Sequence, residues 1–117
     1  MGDQLVFLYG WGPEEEGRLS SLLYMVETAS SMDMQASVFF FTDGAVIAKK
    51  GIASKISQEI GNRFSEMIKN EAVKVYVCSE AAAKRGITQE LLEDNVTIAG
   101  YPSFLNMAAT FKSVITV

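Results

Sequence analysis

Two hydrophobic periods alternate along this chain of 117 residues, and the alternation restricts the folds open to it. Short apolar runs rich in β-branched and aromatic residues occupy 5–9, 37–41, 73–77, 96–98 and 113–117. Between them, apolar residues recur three or four apart. Leu19, Leu22, Leu23, Val26 and Ala29 mark one helix; Phe104, Leu105, Ala108 and Phe111 mark another. Ile52, Ile56, Ile60, Phe64 and Ile68 form an unbroken i, i+4 ladder and predict a single amphipathic helix. Shorter helices are expected over 45–50, stopped by Gly51, and from an N-cap at Thr88 through Leu92. Pro13 suits the first turn of the first helix, where Glu14, Glu15 and Glu16 complement its dipole. Strands alternating with helices predict one α/β domain over 1–117, with a mainly parallel sheet of about five strands covered on both faces.

In such sheets, ligands bind beyond the carboxyl ends of the strands, where the strand order reverses. The loops expected on that edge are Gly10-Trp11-Gly12, Thr42-Asp43-Gly44 and Cys78-Ser79, joined by the turn at Gly100-Tyr101.

Composition narrows the chemistry. The net charge is −4 and no basic cluster is visible, which disfavours direct binding to nucleic acid or to an anionic membrane. No secretory leader pattern and no long apolar span are present. With no histidine, neither serine–histidine nor cysteine–histidine catalysis can be built within one chain, and histidine-containing zinc sites are excluded. One cysteine allows no intrachain disulfide and no C-x-x-C pair, and fits a reducing, cytoplasmic setting. No organic cofactor and no metal are expected.

That cysteine, Cys78, ends the third apolar run and is followed at once by Ser79-Glu80-Ala81-Ala82-Ala83-Lys84-Arg85-Gly86, a capped helix closed by glycine. A thiol between a strand end and a helix N-terminus is placed where the thiolate is favoured. The competing reading is a small buried hydrophobe, the commonest fate of a free cysteine.

Other features at the edge have simpler readings. Gly10-x-Gly12 is a tight turn into a dipole-matched helix, because the three glutamates after it would repel a phosphate. Asp43 ends a strand as a phosphoacceptor would, yet the first strand ends in Tyr9-Gly10-Trp11 and supplies no acidic Mg²⁺ ligand, so Asp43 reads as a turn or N-cap residue. Lys84-Arg85 suits a helix C-terminus.

Two segments resemble the DsrE/DsrF-like (TusD/YchN-type) family of small sulfur-relay proteins. One is Phe39-Phe40-Phe41-Thr42-Asp43-Gly44-Ala45-Val46-Ile47-Ala48-Lys49-Lys50, similar to that family's aromatic second strand and following helix. The other is Val75-Tyr76-Val77-Cys78-Ser79-Glu80-Ala81-Ala82-Ala83-Lys84-Arg85-Gly86-Ile87, similar to its strand, active cysteine, helix and R-G-[IV] turn. The tail Val96-Thr97-Ile98-Ala99-Gly100-Tyr101-Pro102-Ser103-Phe104 continues the resemblance.

The resemblance implies a three-layer α/β/α sandwich, an oligomer of trimeric or hexameric form, and Cys78 at the position that carries persulfide sulfur. The expected activity is that of a sulfur carrier or sulfurtransferase subunit exchanging sulfur with donor and acceptor proteins, a TusA-like carrier among them. The NH groups of Ser79 and Glu80 would stabilise the sulfur anion. Tyr9, Gly10, Trp11, Asp43 and Tyr101 are the candidate pocket residues around it. The alternative from another class is a non-catalytic assembly subunit with Cys78 buried and inert; a small-molecule-binding module at the same edge is a third. Trp11, Phe104, Met107 and Phe111 are more apolar bulk than one small core needs, which also points to association.

Overall fold

The computed structural model describes residues 3–117, and its core is a single sheet of five parallel strands. In chain order the elements are β1 (Gln4–Tyr9), α1 (Glu16–Ser31), β2 (Gln35–Phe40), a 3₁₀ helix (Thr42–Ala48), α2 (Ile52–Ile56), α3 (Gln58–Lys69), β3 (Val73–Cys78), α4 (Ser79–Lys84), a 3₁₀ turn (Gln89–Leu91), β4 (Val96–Ala99), α5 (Tyr101–Thr110) and β5 (Ser113–Thr116). The strand order is β4-β3-β2-β1-β5.

Handedness dictates the layers. Parallel β-α-β crossovers are right-handed. The connections β1→β2, β2→β3 and β3→β4 step one way along the sheet and share one face. The connection β4→β5 steps back past three strands and takes the other face. Side chains follow. Tyr9, Phe40, Val77 and Ile98 are register partners, so their side chains share a face. Phe40 meets Phe64 of α3 there, ring centroids 6.1 Å apart. Leu8, Phe39 and Tyr76 share the opposite face, where Phe39 meets Phe104 of α5 at 5.2 Å. The first face is filled from α1 by Leu19, Leu22, Leu23 and Val26, and from α3 by Ile60 and Phe64. The second is covered by α5, whose sole buried residue is Met107, and it keeps the exposed Lys74 and Thr97.

The Ile52–Ile68 ladder does not make one helix. Ser57 is extended (φ −166°, ψ 160°) and divides α2 from α3, with its Oγ accepting from the N–H of Ile60 at 3.1 Å. The two helices then fold tightly together: a Cβ on Gly61 would lie 2.6 Å from Ser54 Oγ and 2.8 Å from Ser54 Cα. An i, i+4 ladder continues unchanged through a break that keeps its apolar face inward, so periodicity cannot report it; Ser57 and Gly61 are the local signals. The first helix starts later than expected. Glu15 N–H donates to Gly12 O at 3.1 Å, closing a turn around Pro13 and Glu14, and Glu15 becomes the N-cap residue. The helix expected over 45–50 begins at Thr42 and is 3₁₀.

Three of the four residues of the supposed apolar surplus, all but Trp11, are used internally to seal the face under α5. Met107 is buried, while Phe104 and Phe111 pack half-buried on the core. The apolar groups left outside are Leu105, Met32, Tyr101, Tyr24, Val114, Leu91 and Trp11. No helix among the described residues is long and apolar enough to cross a membrane.

Glycine to alanine in an exposed helix interior ordinarily stabilises by about 0.5–1 kcal/mol. At Gly61 the sign reverses, because the new methyl meets Ser54 backbone. Gly61→Ala is expected to destabilise by about 1–3 kcal/mol, read as a lower denaturant midpoint at unchanged slope.

Candidate functional site

The carboxyl edge of the sheet holds the candidate residues, and the fold sorts them into separate places. At β3 and β4 the outgoing connections leave for opposite faces, which opens a crevice between the two strand ends. Cys78 and its register partner Ala99 sit there. Cys78 follows Val77 and so projects to the other face, the one roofed by α5. It is fully buried, at 0% exposure. Cys78 is also the N-cap residue of α4, but its side chain makes no capping hydrogen bond to that helix. Its φ and ψ of −59° and 128° carry the strand into the helix without strain.

Ser79 and Glu80 open α4 and are exposed. Across the crevice, Gly100 leads into Tyr101, the first residue of α5. A Cβ on Gly100 would touch Ser79 Oγ at 3.4 Å, which measures how closely the two chain segments approach. Tyr101 Oη donates to Glu80 Oε1 at 3.2 Å, so a hydrogen bond spans from α5 to α4 two residues beyond the paired strand ends Cys78 and Ala99. The Tyr101 phenol is pushed up to about 12, first by hydrogen bonding with the Cys78 sulfur and by its negative charge at high pH, then by burial and by Glu80. The phenol therefore remains a hydrogen-bond donor at neutral pH. Cys78, Ser79, Glu80 and Tyr101 form one cluster.

The other candidate residues lie apart from it. Tyr9 faces α1 and α3 rather than the mouth: it is fully buried, its ring packs edge-on against Phe40 at 5.8 Å, and its hydroxyl reaches Glu15 O at 3.5 Å. Its place as a wall beside Cys78 is corrected, since strand alternation puts it on the opposite face. Burial, followed by the nearby Glu15 charge, pushes its phenol up to about 12. Trp11 turns toward β5, its indole N–H donating to Val117 O at 2.9 Å and its ring lying 4.0 Å under the Arg18 guanidinium. Gly10 and Trp11 line a cleft of about 330 Å³ with Leu8, Phe41, Thr42 and Val117, on the far side of β2 from Cys78.

Asp43 lies in the 3₁₀ helix and pairs with Arg85 at 2.7 Å. Arg85 also donates to Ala81 O at 3.1 Å, so this ion pair ties the end of α4 to the loop after β2. The pairing of Arg85 with Asp43 is not legible in the sequence, where Lys84-Arg85 reads only as a helix C-terminus. Thr42 belongs to the same edge loop as Asp43. It has φ +47°, uncommon for a β-branched residue, and is held by its hydroxyl donating to Gly10 O at 2.8 Å. Among the described residues, no group of three or more His, Cys, Asp or Glu side chains is arranged to hold a metal ion.

The two raised phenols separate in a titration. Each acts as a group whose folded value exceeds its unfolded one, so its stabilising contribution is complete below about 10 and is lost as the pH rises through about 12. Cys78→Ala removes the largest causes at Tyr101 and leaves Tyr9 untouched. Phenolate absorbance is expected to show two of the four tyrosines titrating late in the wild type and one, Tyr9, still near 12 in the variant, with Tyr101 moved down toward the ordinary range.

Comparison with known proteins agrees with this fold. An uncharacterized protein of Methanocaldococcus jannaschii, MJ0760, is 29% identical over 107 residues, covering 89% of this chain and 39% of that protein. The chain therefore spans about two fifths of the length of that relative. Protein TusB of Shigella flexneri is 28% identical over 71 residues, covering 61% of this chain and 70% of TusB. Among solved structures, MTH1491 from Methanobacterium thermoautotrophicum superposes with a TM-score of 0.81 at 17% identity, covering 98% of this chain and 99% of that one. The ychN protein of E. coli superposes with a TM-score of 0.75 at 16% identity, with the same coverage. At these identities the superpositions speak for the fold. The sequence profile of the DsrE/DsrF-like family matches residues 3–117, and the chain belongs to that sulfur-relay family.

Proposed function

We propose that this chain is a sulfur-relay subunit that accepts sulfane sulfur on Cys78 and passes it on as a persulfide. The observation that carries the reading is the position of its one cysteine: the end of β3, in the crevice where the connections of β3 and β4 part. Family membership supports the same reading.

The transfer needs no oxidant and no metal. The Cys78 thiolate attacks the outer sulfur of a donor persulfide, R–S–SH. The Cys78 S–S bond forms, the donor S–S bond breaks, and the donor leaves as the thiolate R–S⁻, so Cys78 holds –S–SH. An acceptor thiolate attacks that outer sulfur in turn and regenerates the Cys78 thiolate. Both partners are protein thiols, a TusA-like carrier among the candidates. Tyr101, bonded to Glu80, lies at the mouth of the crevice, and the backbone N–H groups of Ser79 and Glu80 begin the following helix. The exposed apolar groups Leu105, Tyr24, Met32 and Val114 support assembly into a homo-oligomer, for which the family resemblance suggests a trimer or hexamer.

A second reading has one observation in its favour. Cys78 is fully buried in the isolated chain, as an inert assembly subunit would have it. Intact-mass analysis separates the two. After incubation with a persulfidated donor protein, the carrier gains one sulfur atom per chain, removable by a reductant, and Cys78→Ala gains none. Alanine is the control of choice, because it removes the sulfur and leaves no polar atom in the buried site. A native protein that takes up no sulfur, even with donor and acceptor proteins both present, overturns the carrier reading.

A further inference from the structure

Cys78 presents a contradiction for any sulfur carrier: it lies at the open edge of the sheet and yet no part of it touches solvent. Phe39 and Tyr76 share its face of the sheet below it, and the neighbouring strand end at Ala99 closes one side. Two residues past each of these strand ends, Tyr101 donates to Glu80 at 3.2 Å, a link that crosses the mouth of the crevice.

We propose that Tyr101 is a gate: its side chain, latched to Glu80, closes the crevice over Cys78, and rotation of that side chain admits the sulfur donor. The inference rests on the carrier reading for its purpose, but not for its geometry.

Several features make this gate able to move. Both latch partners are solvent-exposed, Tyr101 to 47%, so water competes for the hydrogen bond whenever it breaks. Tyr101, Pro102 and Ser103, the first turn of α5, are all exposed. The helix is held further along, by Phe104 against Phe39 and by the buried Met107. Gly100 precedes the turn and carries no side chain to obstruct it, and Pro102 has no N–H to tie the turn down. Tyr101 can therefore swing outward without withdrawing the apolar contacts that seat α5. The latch also joins the two connections that leave the sheet on opposite faces, so breaking it opens the crevice along its length. In the closed state the phenol remains protonated well above neutral pH, which keeps the hydrogen bond in place across the ordinary range.

The test is alkylation of Cys78 by iodoacetamide in the full-length chain, under native conditions and across a series of low denaturant concentrations. Tyr101→Phe keeps the ring and loses the latch; labelling is expected to be about fivefold faster. Tyr101→Ala removes the cover and is expected to be faster still. Glu80→Ala breaks the same hydrogen bond from the other side and should match Tyr101→Phe. The pair Glu80→Ala with Tyr101→Phe should be no faster than either alone, as expected for two groups acting through one interaction. Labelling through a local gate is insensitive to low denaturant, whereas labelling through global unfolding rises with it. The gate is overturned if Tyr101→Ala and Tyr101→Phe label at the wild-type rate, or if their gain climbs with denaturant in step with lost stability. A persulfide-donor arm separates this from the carrier reading. If the variants label faster and none of the proteins takes up sulfur, the gate stands and the carrier reading fails. If the wild type takes up sulfur as fast as Tyr101→Ala, the carrier reading stands and the gate fails.

Discussion

The return of the chain from β4 across the sheet to β5 is the constraint on which the site depends. Three successive crossovers step in one direction and bury one face under α1, α2, α3 and α4. The fourth must step back, and its right-handedness sends α5 to the other face. That reversal separates the connections of β3 and β4. It creates the crevice, sets Cys78 in it, and places the first residue of α5 at its mouth. Without the reversal the strand ends would be neighbours in a continuous wall of loops, with no gap at Cys78.

The two faces of the sheet differ because of the same reversal. The face under α1 to α4 is packed with Phe7, Tyr9, Val38, Phe40, Val75 and Val77, all almost completely buried. The face under α5 has one helix to cover five strands. Phe39 and Cys78 are sealed beneath it, but Lys74 and Thr97 are left in solvent. A thinly covered face carries fewer apolar contacts per residue, so it opens locally at less cost than the packed one. Stability is concentrated on one side of the sheet and the reactive thiol is held on the other.

Polar links at the carboxyl edge tie the loops to each other more than to the core. Thr42 hydroxyl donates to Gly10 O, Arg85 pairs with Asp43, and Tyr101 donates to Glu80. Each joins segments far apart in sequence, and each has at least one exposed partner. Such links contribute modestly to stability individually, about 0–1 kcal/mol for an exposed ion pair. Their effect is to set loop geometry. The Asp43–Arg85 pair fixes the end of α4, whose beginning is Cys78 and Ser79, while the Tyr101–Glu80 bond fixes the relation of α4 to α5.

Local pattern was enough to determine the parallel α/β architecture, the helix faces of α1 and α3, and the strand-to-helix switch at Cys78, because hydrophobic period, glycines and β-branched runs are properties of neighbouring residues. It also marked Tyr101 as belonging with Cys78. It could not reveal that Ser57 splits the isoleucine ladder, since the apolar face is preserved on both sides of the break. Nor could it say which face a strand residue takes relative to another strand's. That depends on register and crossover direction, so Tyr9 and Cys78, each at the end of its strand, were legible as neighbours and lie on opposite faces. The pairing of Arg85 with Asp43, 42 residues away, and the burial of the sole cysteine were decided only by the tertiary structure. Both arise where chain segments converge from different parts of the fold, and no local pattern encodes the distance between them.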